Sequence, residues 1–385
     1  MTDDFRIIAD DTEFRDLVAQ LRDEPRYAID TEFHREKTYF PHVAVVQIAD
    51  SRGTYVVDAL EVDLSPLREV LQGTGLAVMH AAKQDMEVLD RACGTVPRAL
   101  FDTQLAAGFV GYTTPSLSVL LEGELGVRMG KADRLTDWMK RPLTDDQLSY
   151  AADDVAHLLE LHDRLSAQLD ERGRTEWVSE VCEELRADPP TPRDPDEVWR
   201  RIKEIRHLKG NRLALAQKVA AWRERRAIDT DVTPKFILSD LGVVSVASAA
   251  PMSLDALTSL RGVDGRVLKG GGGDKLLEVV RSNSDTQPAR RGERTNGELP
   301  GELRPVLPLI STWVNQRCRD LEIETSLLAT RNDLEGLLRG DPDARLASGW
   351  RAEIVGEPIR RLVEGTAGLA FTKGRGLVLV ELDED

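Results

Sequence analysis

The chain is poor in cysteine, with only Cys93, Cys182 and Cys318 in 385 residues. They are far apart and odd in number, which excludes a disulfide framework and a zinc site of the paired-cysteine type and leaves buried free thiols as the expectation. No apolar run approaches the roughly 18 residues that a membrane span needs, so no membrane partner is expected. The first residues, Met1-Thr2-Asp3-Asp4-Phe5, lack the basic and apolar regions of an export signal, and the expected location is the cytoplasm. Positive charge is also short, with 51 Lys+Arg against 67 Asp+Glu and a formal net charge of −16. Taken alone, that balance speaks against a nucleic-acid partner. The deficit is uneven, however: residues 1–195 carry 21 basic and 38 acidic side chains, residues 196–294 carry 19 and 13, and residues 295–385 carry 11 and 16. A basic stretch between two acidic ones suits a docking surface for an acidic polymer, and it equally suits a solvated helical surface.

The length predicts two or three domains of an ordinary globular protein. The first strand expected is Tyr27-Ala28-Ile29-Asp30-Thr31-Glu32-Phe33, followed by β-branched runs at 43–48 and 54–58 separated by the turn Asp50-Ser51-Arg52-Gly53. Together these predict an antiparallel meander. Beyond it the pattern becomes α/β: a short helix over 65–71, a strand over 76–80, a helix over 83–92, a helix opened by Asp102 as N-cap, and a helix over 117–125. Residues 131–143 read as a loop. Thr144-Asp145-Asp146-Gln147 has the form of a capping box and starts a long helix, and a second helix follows over 175–186. Four prolines within 188–195 then mark a domain boundary. Residues 198–281 read as all helix: 198–208, 212–227, a proline-led segment from 233, 254–260 and 275–281. The glycines 270–273 read as a flexible entry to the last of these, since no Gly-Lys-Ser/Thr follows them. Residues 282–299 read as a polar linker, and the chain should close with helices and a hairpin across Lys373-Gly374-Arg375.

Chemistry is concentrated in a few carboxylates. Asp30 and Glu32, at i and i+2 of a strand, leave the same face, and two like charges held that close call for a cation between them. Asp85 lies just past a strand end, where α/β folds place functional groups. Tyr150 and Asp154, four residues apart on a helix, share one face. If that face looks at the sheet, Asp30, Glu32, Asp85 and Asp154 surround divalent ions with a tyrosine beside them, an arrangement suited to displacement at phosphorus. Asp153 is turned by about 100° on the helix, so it is expected to face solvent or to stand behind the ligands.

These residues resemble a known family. Asp30-Thr31-Glu32-Phe33, Lys83-Gln84-Asp85-Met86-Glu87, Phe101-Asp102-Thr103-Gln104 and Tyr150-Ala151-Ala152-Asp153-Asp154 are similar, in order and spacing, to the motifs of ribonuclease D within the DEDD superfamily. Leu135 and the eight residues after it, to Leu143, resemble the segment before the last motif. Tyr150 fits the tyrosine subtype (DEDDy), whereas Ser149 stands where the histidine subtype has His. Residues 215–227, Pro234, Pro251-Met252-Ser253-Leu254 and Leu260-Arg261-Gly262-Val263 are similar to a helicase-and-RNase-D C-terminal (HRDC) domain. Leu327-Leu328-Ala329-Thr330 and Gly349-Trp350-Arg351 resemble a divergent second copy.

The resemblance implies a multidomain chain. An N-terminal α/β RNase H-like (DnaQ-like) exonuclease domain with a mixed sheet would span residues 1–188, an all-α HRDC domain residues 195–282, and a second HRDC-like module ending in a hairpin residues 300–385. It implies 3′–5′ exoribonuclease activity releasing nucleoside 5′-monophosphates, with two Mg²⁺ or Mn²⁺ ions held by Asp30, Glu32, Asp85 and Asp154. Glu32 and Tyr150 are the catalytic candidates, Tyr150 as the group that orients water. Phe33, Lys131, Arg141, Lys209, Arg212, Lys218 and Arg225 are the candidate RNA contacts, and Arg223 and Arg226 lie on the same helix. The expected partner is the 3′ end of RNA, a tRNA precursor or other structured RNA, bound by a monomer. A DNA 3′–5′ exonuclease and an inactive RNA-binding scaffold remain the alternatives.

Overall fold

The structure, a computed structural model, describes residues 5–130, 136–187, 194–267, 269–283 and 299–382. A six-stranded mixed sheet organises the N-terminal half: β1 (Phe5–Ile8), β2 (Arg26–His34), β3 (His42–Ala49), β4 (Thr54–Asp58), β5 (Leu76–Met79) and β6 (Leu100–Asp102), in spatial order β1-β4-β3-β2-β5-β6. β2, β3 and β4 form the expected antiparallel meander. Its turn is fixed by Asp50, whose Oδ1 accepts from the amides of Arg52 and Gly53. β1 pairs parallel with β4, β5 with β2, and β6 with β5. The strands at the centre read as near-continuous apolar runs because both faces are covered. The helices of this half are α1 (Asp11–Leu21), α2 (Leu67–Leu71), α3 (Lys83–Cys93), α4 (Thr103–Ala107), α5 (Leu117–Leu120), α6 (Asp145–Ala156), α7 (Leu158–Glu171) and α8 (Thr175–Ala187).

Some elements differ from expectation. β1, α1 and the three-residue β6 were not expected from the pattern, the two strands being too short to show a period. The long helix begins at its capping box, with Thr144 Oγ1 accepting from the Gln147 amide, but it breaks at His157 into α6 and α7. Residues 198–208 form two 3₁₀ turns, Val198–Arg201 and Lys203–His207, rather than one helix. The proline-rich boundary lies largely outside the described residues, as does most of the polar linker.

The middle module contains α9 (Gly210–Thr230), α10 (Pro234–Ile237), α11 (Asp240–Ala249), α12 (Leu254–Thr258) and α13 (Gly272–Arg281), around a core of its own that includes Trp199, Val219, Val243, Leu257 and Leu276. α11 was not expected. The glycines at the start of α13 are not a loose entry: a Cβ at buried Gly272 would lie 2.2 Å from the Val267 carbonyl, so glycine permits a close approach of backbones. This module meets the loop after β2. Asp231, with φ +48°, accepts from the amides of Tyr39 and Phe40 at 3.0 and 2.9 Å and pairs with His42, while the Tyr39 hydroxyl donates to Glu224 at 2.8 Å.

The last module contains α14 (Val306–Leu321), α15 (Thr325–Leu328), α16 (Arg331–Leu338), α17 (Gly349–Arg351), α18 (Glu357–Glu364) and the expected hairpin, β7 (Ala367–Thr372) and β8 (Gly376–Glu381). It does not have a separate core. Its buried residues Ile310, Leu327, Leu328, Leu346 and Trp350 continue the cluster that holds Phe109, Leu161 and Cys182 of the sheet-bearing half. Trp350 stacks on Trp177 with centroids 4.8 Å apart and meets Phe109 edge-on at 5.5 Å. The Arg174 guanidinium bridges the carbonyls of Phe109 and Leu321, and Arg351 reaches Glu180, Glu184 and the Leu327 carbonyl.

Candidate active site

β2 delivers Asp30 and Glu32 while it buries Tyr27, Ala28, Ile29 and Thr31. The β2–β3 register slips between Glu32 and Phe33. Such a bulge bends a strand locally and re-aims its side chains, and no residue type in the sequence announces it. α6 crosses β2, β3 and β4 and presents Tyr150 and Asp154 to them. One carboxylate oxygen from each of Asp30, Glu32 and Asp154 lies within 4.8 Å of the others.

Asp85, in the first turn of α3, stands beside this group rather than within it. It is buried, and its Oδ1 accepts a hydrogen bond from Thr31 Oγ1. Its charge nevertheless acts on Asp30 and Glu32. Asp153 is buried, only 9% exposed, which rules out the solvent-facing expectation.

Burial of these acids, followed by their mutual repulsion, makes ionisation costly. Desolvation, then Asp85, Asp154 and Glu32, raises the Asp30 carboxyl well above its ordinary range. Desolvation, then Asp154 and Asp85, pushes Glu32 up to about 8. Asp85 rises to about 6, mainly by burial, with the Thr31 hydrogen bond opposing. Hard oxygen donors that repel one another in this way fit a divalent cation of the Mg²⁺ or Mn²⁺ kind.

A stability prediction follows from the signs. Carboxyls whose folded pKa exceeds the unfolded value bind protons more tightly in the native state, so the metal-free protein loses their contribution as pH rises from about 4 toward about 8. A divalent ion replaces those protons. Mg²⁺ or Mn²⁺ should therefore raise the melting temperature more at about pH 9 than at about pH 5. A metal-induced shift independent of pH, or one that survives in the Asp30→Asn protein, would contradict a metal held by these acids.

Two residues position the site. Asp102 caps α4 by accepting from the amides of Gln104 and Leu105, the expected role, and it also accepts from Ala81 and Ala82. It thereby holds the β5–α3 corner, where Ala81 has φ +56°, and so the start of the helix that bears Asp85. Arg141 corrects an expectation. Rather than facing RNA, its guanidinium makes a two-pronged pair with Asp58, both contacts 2.6 Å, and donates to the carbonyls of Ala44, Trp138 and Lys140. This ties the segment before α6 to the sheet. Trp138 then packs at 6.1 Å between ring centroids from Tyr150.

Phe33 is half-buried on β2, directly after Glu32. Lys131 lies outside the described residues. Lys209 and Arg212 are exposed at the start of α9, Lys218 donates to the Ser282 carbonyl at 2.8 Å, and Arg225 pairs with Asp196. Arg223, grouped with them by sequence, is buried: it bonds the Leu238 carbonyl and Asp240, so α11, missed in the sequence, takes it out of reach of a phosphate.

A mixed sheet whose central strand and crossing helix bring acidic side chains together is the frame of a 3′–5′ exonuclease, and the 3′–5′ exonuclease family model matches residues 5–170. The HRDC domain model matches residues 212–280. Ribonuclease D of Acidiphilium cryptum is 37% identical over 95% of this chain and 94% of its own length, and that of Nitrobacter hamburgensis is 35% identical over 96% and 98%. The crystal structure of Escherichia coli RNase D, described as an exoribonuclease involved in structured RNA processing, superposes with a TM-score of 0.81 at 28% identity, covering 94% of this chain and 99% of that one. The chain belongs to the ribonuclease D family. Among the described residues, no helix is long and apolar enough to cross a membrane.

Proposed function

We propose that this protein removes nucleoside 5′-monophosphates stepwise from RNA 3′ ends by a two-metal mechanism, with tRNA precursors or other structured RNA as substrates. The observation that carries the reading is the convergence of Asp30, Glu32 and Asp154, with Asp85 beside them, on elements also matched by the exonuclease model. Two Mg²⁺ or Mn²⁺ ions held by these four acids would supply Lewis acidity at the phosphate and charge at the departing 3′ oxygen. The Tyr150 hydroxyl, one helical turn before Asp154, orients the attacking water together with Glu32. Trp138 keeps the Tyr150 ring in place, and Phe33 packs on the terminal base.

The proposed division is a catalytic segment over 1–188, the HRDC module over 195–282 and a divergent second HRDC-like module over 300–385. RNA reaches Lys209, Arg212, Lys218, Arg225 and Lys131, whereas Arg141 and Arg223 serve the fold. The protein acts as a cytoplasmic monomer.

The test is incubation with matched single-stranded RNA and DNA, with and without each metal, and chromatography of the products. Mononucleotides from RNA only when metal is present are the expected result. Faster loss of DNA would favour the DNA exonuclease, and tight RNA binding without products would favour the scaffold.

Tyr150→Phe should lower turnover on the order of 10²-fold with little change in substrate affinity, since a positioning hydroxyl is lost while every carboxylate stays. Unchanged steady-state turnover would make Tyr150 a packing residue only.

A further inference from the structure

Between α9 and α13 of the middle module lies a groove of about 460 Å³. Its apolar side is Ala221, Trp222 and Val279, and its rim carries Lys218, Arg226 and Lys275. Trp222 is half-buried, with part of its ring packed against the module's core, and it contacts no other aromatic ring among the described residues.

Arg226 donates to the neutral carbonyl of Lys269 at 2.5 Å, and Lys218 to that of Ser282 at 2.8 Å. Lys275 is exposed and makes no ion pair among the described residues. Arg225 pairs with Asp196, 2.6 Å away, and the other carboxylate of the lining, Asp229, makes no ion pair among the described residues.

We propose that this groove takes one unpaired nucleotide of the RNA, its base against Trp222 and its adjoining phosphates on Arg226 and Lys275. The inference rests on the RNA reading above. A half-buried indole bordered by these two cations suits a base and its phosphates, because stacking accepts any base while the cations neutralise the backbone. A polyanion also gains from such a handle here, because residues 1–195 hold 38 acidic side chains against 21 basic ones and on balance repel it. The groove lies in the segment whose charge balance is reversed, and it gives the strand a grip that base pairing would prevent.

The test is equilibrium binding by the full-length protein in EDTA, so that no strand is cut, at several salt concentrations. One labelled single-stranded oligoribonucleotide is compared with an abasic strand of equal length. Trp222→Ala should weaken binding of the base-bearing strand about tenfold and leave the abasic strand and the salt slope unmoved, with Trp222→Phe restoring most of the loss. Lys275→Gln should weaken both strands alike and flatten the salt slope by about 0.7. If Trp222→Ala melts early, Trp222→Leu, which refills the core edge, takes its place in the same comparison. Equal loss on both strands, or none on either, overturns the inference and leaves the groove to a peptide or to packing. Hydrolysis by the wild-type protein is measured separately: an inactive protein that still tells the two strands apart sinks the proposed activity and not the groove.

Discussion

Asp154→Asn should abolish hydrolysis and leave the fold intact. The amide keeps the shape of the side chain on α6 but removes one of the three charges that meet within 4.8 Å. On the two-metal mechanism proposed above, losing a carboxylate that would hold the ions withdraws several kcal/mol of transition-state stabilisation, or about three orders of magnitude in rate. The metal-free protein should at the same time melt no lower than wild type, because a repelling charge has left a site where burial and Asp154 together push Glu32 up to about 8. Rate by single-turnover assay and melting by circular dichroism read the two effects apart. Near-normal cleavage by Asp154→Asn would remove Asp154 from the metal site, and a collapsed melting curve would make it a structural acid.

Arg351→Ala should be the most damaging single change far from the active site. Arg351 is 1% exposed, and burial depresses its guanidinium below its usual range, against Glu184 and Glu180, which raise it. It bonds both glutamates and the Leu327 carbonyl, and its guanidinium carbon sits 4.4 Å from the centre of the Trp350 ring. Alanine leaves a cavity, an unmet buried carbonyl and a tryptophan without cover on one face, together about 3 kcal/mol or more. Methionine refills the volume but not the hydrogen bonds and should fall between. Urea unfolding measures both, and wild-type stability in Arg351→Ala would mean that the contact between the two halves is incidental. A chain ending near residue 188 removes the same cover wholesale, exposing Phe109 and Trp177, so charge substitutions on α9 are the cleaner way to separate docking from catalysis.

Local rules made part of this legible and left part hidden. The i, i+2 spacing of Asp30 and Glu32 and the i, i+4 spacing of Tyr150 and Asp154 describe side-chain direction within one element, and the structure brings Asp30, Glu32 and Asp154 together. Asp102 shows the limit within a single residue. Its cap on Gln104 and Leu105 is local and readable, whereas its bonds to Ala81 and Ala82 cross about twenty residues and depend on how β5 lies beside β6. The ion pairs of Arg141 and Arg223 could not be read from the sequence, because composition records a charge and not its partner. Asp58 and Asp240 answer them from 83 and 17 residues away.

The shared core has a consequence for how the protein is made. Synthesis runs from the N-terminal side, yet the cluster around Phe109 is closed by Trp350 and its neighbours, which leave the ribosome after the whole middle module. The middle module has a core of its own and is expected to fold once it has emerged. The order of folding therefore inverts the order of the sequence, with the second module finished before the first is sealed. Protease added to stalled nascent chains ending near residue 320, long enough for α13 to clear the exit tunnel, should spare the middle module and cut the sheet-bearing half, and resistance of both would show that the first half closes unaided.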